Sequence, residues 1–380
     1  MSQAIYLDSA SFTSVPVTTR TEWTFAEIMD REGVTEVVEI TSGGNTRQVA
    51  ALMVEMLTYL NGTQIPDESQ LSNLLGLESS QFQGDQILTN VLSALRTAVS
   101  CIQARHQSVS LTEALGGTSK VSVQLYANIN RSLLGEHRTA SHFAAAAERA
   151  VDNGYSIIKC APFDEVHPPS NTSDIMEVAR EGIERVAAVR AAVGSEVQVL
   201  VDCHSRFEAH TAPKVAEKLS ELHVGWFEEP VSPTENAREL AQIAHQVSMP
   251  IAGGESGYGT DFFEDLIQSE AVIIIMPDIR FCGGVTEAYQ AGKSVIQAGG
   301  QISLHNPSGP VSQLGSAHVT AAISGSMPLE HAVGEADWRA ELMAPPERIY
   351  DGRLWFPEGN GIGAALNQDV ISHKGTKWKV

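Results

Sequence analysis

Short apolar runs recur along the second half of the chain, and each hands over to one ionisable residue. Asp202 follows VQVLV, Glu228 follows HVGWF, Glu255 follows MPIAGG, Asp278 follows VIIIMP, His305 follows GQISL and Glu330 follows SMPL. Successive members stand 26, 27, 23, 27 and 25 residues apart, the length of one strand-loop-helix-loop unit. Between them lie NARELAQIAHQV, DFFEDLIQSE, TEAYQAGKSVIQAG and SQLGSAHVTAAI, whose apolar residues follow helical spacing. Alternating strand and helix predicts a parallel sheet with crossover helices. YSIIKC from Tyr155 and VSVQLYA from Val121 bring the strand count to eight. Eight units predict an α/β fold of the (β/α)8 type, a closed barrel whose strand carboxyl ends carry the active site. No Gly-rich phosphate fingerprint follows the first strand to support an open, doubly wound sheet.

The 380 residues suit a barrel with a second module. Residues 1–115 read as a separate α+β domain, with VTEVVEITS as a strand and RQVAALMVEMLTYLNG and DQILTNVLSALRTAVSCIQARH as helices. Residues 116–340 carry the barrel, and the Pro-rich, polar segment 341–380 is expected to return to the first domain. The formal charge of −21 excludes nucleic acid and anionic membrane as partners, which need clustered Lys and Arg. The same balance suits an enzyme that attracts a divalent cation. Cys101, Cys160, Cys203 and Cys282 form no CxxC pair, which points to reduced thiols in a cytoplasm, with Cys160 and Cys203 as small apolar packing at strand ends. No basic segment followed by an apolar run opens the sequence, and no apolar run approaches membrane-spanning length, so a cytoplasmic protein is expected.

Asp202, Glu228 and Glu255, with no Cys or His among them, form a hard oxygen set suited to Mg2+. Each alone reads better as a solvated loop residue or helix cap; three in register favour a metal site. Asp278 and His305 come from adjacent strands, so the carboxylate can fix the imidazole tautomer and leave the other ring nitrogen as a general base. Pro307, Gly309 and Pro310 in HNPSGP predict a tight turn around that histidine. His204, two residues after Asp202, falls on the same face of an extended segment. It reads either as a second acid/base group opposite His305 or as a brace for Asp202. Lys159 ends the second strand run, where an ammonium pairs with a substrate carboxylate or an oxyanion unless it is a surface lysine. Glu330, at the end of the eighth run, is expected, if protonated or hydrogen-bonded, to stabilise a developing enolate oxygen from the side opposite the metal.

VLVDCHSRF, WFEEP, IAGGES, MPDIRFCGG and SLHNPSGP, found in this order between about Tyr155 and Glu330, resemble the enolase superfamily and within it the mandelate racemase subgroup. The resemblance implies an α+β domain capping the barrel mouth, Mg2+ held by Asp202, Glu228 and Glu255, an Asp278–His305 base dyad, and Glu330 as partner of a metal-stabilised enolate. Racemases of the subgroup carry KxK at the second strand, the second lysine being a base. This chain has Lys159, Cys160 and Ala161, which implies chemistry on one face. The DxH pair of Asp202 and His204 is similar to that of galactonate and mannonate dehydratases, whose histidine protonates the leaving hydroxyl. The muconate cycloisomerase subgroup needs a lysine at the sixth strand, where this chain has Asp278. The implied activity is that of a lyase, dehydrating a sugar acid to a 2-keto-3-deoxy acid. An epimerase or cycloisomerase using the same enolate, and a metal-binding barrel without catalysis, are the alternatives. A small carboxylate substrate and further copies of the chain in a homo-oligomer are the expected partners. The first domain lacks the expected Gly-x-Gly-Glu-type segment. Substrate-selecting loops are expected within Ser11–Trp23 and around Asn61–Glu68, with Arg20, Trp23 and Arg131 as candidate contacts.

Overall fold

A computed structural model describes residues 5–134, 138–168 and 174–380. Eight parallel strands, Ser122–Asn128, Ile157–Cys160, Gln198–Asp202, Val224–Glu228, Ile251–Gly253, Ile274–Ile275, Gln301–Ile302 and Leu329–Ala332, are laid down in sequence order. Each pairs with its successor up to the seventh, and the eighth pairs back onto the first through Leu329↔Leu125 to Ala332↔Asn128. The seam between seventh and eighth is bridged where Met327 N–H donates to the Ile302 carbonyl at 2.9 Å. The sheet thus closes into a (β/α)8 barrel. Helices Ala140–Asp152, Arg180–Val193, Ala212–Glu221, Pro233–Ala244, Thr260–Gln268, Gly284–Gln297 and Pro310–Ala322 follow strands one to seven. Pro233 and Pro310 stand in the first helical turn, where a missing N–H costs nothing, and Ser232 caps the first of these helices by accepting from Glu235 N–H.

Strand alternation sorts the side chains. Tyr126, Leu200, Trp226, Ala252, Ile274 and Met276 make a small apolar cluster inside the barrel. Their neighbours Val199, Val201, Phe227, Ile251 and Ile275 face outward into the main core beneath the helices. One strand period beyond the inner cluster come Asn128, Asp202, Glu228 and Asp278, so the polar residues sit as a layer directly above an apolar floor.

The N-terminal module is an antiparallel sheet of Leu7–Pro16, Glu22–Asp30 and Thr35–Glu39 backed by helices Thr46–Leu60 and Gln86–His106 around its own apolar core. Two expectations change here. The stretch Ser11–Trp23 is not a loop: most of it forms a hairpin paired from Leu7↔Asp30 to Pro16↔Glu22, with only residues 17–21 turning. Its Ser and Thr content hid a strand whose buried side chains include Phe12, Val15 and, across the pair, Trp23 and Phe25. Helix Gln86–His106 is long and apolar enough to cross a bilayer by length and composition, but it is the core helix of this module and almost wholly buried. The tail does more than return: Arg353–Trp355 pairs antiparallel with the start of the barrel's first strand before Thr376–Trp378 joins the N-terminal sheet. All four cysteines are buried free thiols.

Candidate active site

Lys159, two residues past Ile157 and on the same strand face, is fully buried. Its ammonium lies 2.7 Å from Glu228 Oε1 and 2.8 Å from Glu330 Oε1. Two acids from opposite sides of the barrel are therefore joined by one cation. Burial disfavours the ammonium, yet Glu228 and Glu330 outweigh it and hold Lys159 charged. Glu330 also accepts from Asn128 Nδ2 at 2.7 Å and Asn306 N–H at 2.9 Å. Burial pushes its carboxyl up, but Lys159 and His305 prevail and keep it below its ordinary value, so it is ionised. Of the two states that would let Glu330 act, protonated or hydrogen-bonded, it is the hydrogen-bonded anion that is found, bridged through Lys159 to Glu228.

Asp202 and Glu228 are register partners on adjacent strands. Glu228 accepts from Trp226 Nε1 at 3.0 Å as well as from Lys159. Its carboxyl is driven well up by burial; Lys159 opposes, while Asp202, Glu330 and Glu255 add to the rise. Glu255 stands two residues beyond the fifth strand, in a turn tethered by Glu229. That neighbouring acid, buried, accepts from Gly254 N–H at 2.8 Å and Glu255 N–H at 3.2 Å. Burial and then the charge of Glu255 raise the Glu229 carboxyl to about 8. Sequence reasoning passed over Glu229; the doubled acid of WFEEP was its signal.

Among the described residues no three His, Cys, Asp or Glu side chains are posed as a finished metal cage. Asp202 Oδ2 is turned to His204 Nε2 at 2.8 Å, and Glu255 Oε2 to His305 Nε2 at 3.0 Å. The donor chemistry nonetheless suits a hard divalent ion. Carboxylates from three consecutive strands crowd one another: burial is the main cause that raises Glu228, the charges of Asp202 and Glu255 add to it, and a cation would relieve that crowding.

His204 departs from the extended geometry the spacing suggested. The strand ends at Asp202, whose Oδ1 accepts His204 N–H at 2.8 Å, and the chain turns there with His204 at φ 47° and Ser205 at φ 55°. The imidazole still returns to Asp202 and remains half exposed at the mouth. Asp202 raises it to about 9 against the effect of burial.

His305 Nδ1 lies 3.0 Å from Asp278 Oδ2, and its Nε2 faces Glu255 and, at 4.0 Å, Glu330. Burial opposes charge on the ring, but Glu255, Glu330 and the bond to Asp278 outweigh it and hold it protonated in this arrangement. Asp278 is itself gripped by Arg280, two residues on, through Nε at 3.0 Å and through Nη2. Burial raises the Asp278 carboxyl; Arg280 and His305 reverse this and keep it well below the usual carboxylate range. Arg280 was not foreseen, although it stands inside the MPDIRFCGG segment.

Arg20 is exposed in the hairpin turn. Trp23 is buried, with Arg339 over its ring and Trp338 against its edge. Arg131 lies 3.9 Å from Glu335.

Residues 142–370 match the family model described as enolase C-terminal domain-like. The chain is 26% identical over 358 residues to the D-xylonate dehydratase of Haloferax volcanii, covering 92% of this chain and 84% of that one. It is 31% identical over 281 residues to the D-gluconate dehydratase of Thermoproteus tenax, covering 74% and 55% respectively. Its fold superposes on the crystal structure of an enolase superfamily member from Salmonella Typhimurium with a TM-score of 0.85 at 22% identity, over 98% of this chain and 100% of that one.

Proposed function

The chain belongs to the enolase superfamily, and from that membership we propose that it is a Mg2+-dependent dehydratase of a sugar acid. The observation that carries this reading is the single dyad: His305 on Asp278 facing the acids Glu255 and Glu330, with Ala161 where a second base would stand.

Mg2+ held by Asp202, Glu228 and Glu255 would supply positive charge to the substrate carboxylate. The remaining steps belong to the chain. Nε2 would be the open side of the His305 ring were Glu255, now 3.0 Å from it, to turn to the cation, and Asp278 fixes the other proton on Nδ1. His305 then removes the proton alpha to the carboxylate, a contribution of about 10²- to 10⁴-fold in rate. Lys159, fully buried, spends its charge on Glu228 and Glu330 and holds those two acids in place below the site. His204, half exposed at the mouth, donates a proton to the 3-hydroxyl, which departs as water. The resulting enol tautomerises to the 2-keto-3-deoxy acid. Removal of one proton from carbon and gain of one by the leaving oxygen balance the step without a redox partner.

A panel of aldonic and aldaric acids incubated with the enzyme and Mg2+, scored for 2-keto acid formation, tests this directly. At least one acid should give product, and a chelator should stop it. Inverted substrate without keto acid would instead identify an epimerase.

A further inference from the structure

The two members of the dyad are each anchored to one short piece of the N-terminal module, Glu39 to Thr41. Arg280 spends its guanidinium nitrogens on two tasks. Nε and Nη2 take the two oxygens of Asp278, and the backbone N–H of Arg280 adds a further bond to Oδ1 at 2.9 Å. Nη1 donates to the Thr41 carbonyl at 3.0 Å, across the boundary between the modules. Asp278 Oδ2 is the oxygen shared with His305, so the plane of the guanidinium sets the direction from which the imidazole is held.

The other anchor reaches the loop that carries His305. Glu39 Oε1 accepts from Gly309 N–H at 2.9 Å, and Oε2 from Ser312 N–H at 3.1 Å, at the start of helix Pro310–Ala322. A methyl group on Gly309 would lie 2.9 Å from Glu39 Oε2 and 3.1 Å from the Trp23 ring, so a larger residue there would push the Glu39 carboxylate out of its present place. Burial raises the Glu39 carboxyl, and the guanidinium of Arg280 is close enough to oppose that rise. Both side chains line the same cavity of about 20 Å3 between the modules, together with Ser312, whose hydroxyl has no partner.

We infer that Arg280 is a positioning residue that makes the orientation of the His305–Asp278 dyad depend on docking of the N-terminal module, with Glu39 as its counterpart there. This rests on the reading of His305 as the base. Misplacement of a reacting group by about 1 Å costs on the order of 10²-fold in rate, so a loosened fork shows in turnover before it shows in binding.

The experiment compares full-length wild type, Glu39→Gln, Arg280→Lys, the double variant and His305→Asn. Kinetics use the aldonic acid turned over fastest by wild type. Glu39→Gln, which touches neither dyad side chain, should lower kcat by about fivefold or more with KM within about twofold. Arg280→Lys, which keeps the charge and loses the fork, should do the same by about tenfold. The double variant should be no slower than Arg280→Lys alone, because the two act through one chain of contacts. A readout independent of substrate is the His305 ring N–H hydrogen-bonded to Asp278, observed by proton NMR of metal-free, 15N-histidine-labelled protein. It should be present in wild type, absent in His305→Asn, and shifted or broadened in both positioning variants. Unchanged kcat and an unchanged ring signal in folded Glu39→Gln would overturn the inference while leaving the base intact. Retained turnover in His305→Asn would instead remove the base reading beneath it.

Discussion

Lys159 Nζ stands 2.7 Å from Glu228 Oε1, with neither side chain more than 1% exposed. The ammonium offsets two buried acids at once, since Glu330 is only 2.8 Å away. Removing it strands both carboxylates in a poorly solvated layer, so Lys159→Met should lower the free energy of unfolding by about 3–5 kcal/mol. Urea unfolding without metal checks this; an unchanged midpoint would show that the pair carries no such charge.

The crowded acids predict that Mg2+ stabilises the fold as well as supporting turnover. Saturation to 100 times the dissociation constant corresponds to about 2.7 kcal/mol, visible as a rise in melting temperature. Asp202→Asn and Glu255→Gln should each lose most of that rise. A shift of undiminished size in either variant would remove that residue from the ion's ligands.

His204 bonds Asp202, so acid and brace make different forecasts. As the proton donor to the leaving hydroxyl, its replacement by Asn should spare exchange of the alpha proton with solvent and cut keto acid formation by about 10²-fold or more. Equal loss of both would assign it to bracing Asp202.

His318 gives a pH dependence remote from the site. Its Nδ1 meets Thr112 Oγ1 at 2.8 Å, its Nε2 faces the Ile362 carbonyl, and burial lowers it from 6.5 to about 4. Between these values the unfolded chain binds a proton that the folded chain refuses. The neutral ring's contribution is therefore whole above about pH 6.5 and lost as pH falls toward about 4, a change of about 3 kcal/mol. Urea unfolding at pH 7 and pH 4.5 should show a smaller difference in His318→Gln than in wild type. An identical pH slope in the two proteins would contradict the assignment.

The parallel barrel was legible because its repeat length and its inside-outside alternation are both written locally. Asp202 and Glu228 end their strands, and Glu255, Asp278 and His305 follow strands of two or three residues by two or three positions, so one spacing captured them all. The alternation does not survive a turn, and His204, at positive φ, was misread as extended for that reason. Contacts between modules leave no periodic trace. Arg280 reaches Thr41 across 239 residues and Glu39 reaches Gly309 across 270, with nothing in either segment naming the other. The hairpin of Leu7–Asp30 escaped because its Ser and Thr residues read as loop while tertiary burial made them strand.

The central claim is that strand-end residues scattered from Lys159 to Glu330 act on one substrate carbon. Its most direct measurement is wash-in of deuterium at the alpha carbon of a turned-over sugar acid in D2O, for wild type and His305→Asn, with Mg2+ and with chelator. Wild type with Mg2+ should exchange and eliminate, and both processes should vanish on chelation or in the variant. Undiminished exchange in His305→Asn, or in wild type with chelator, would contradict the account.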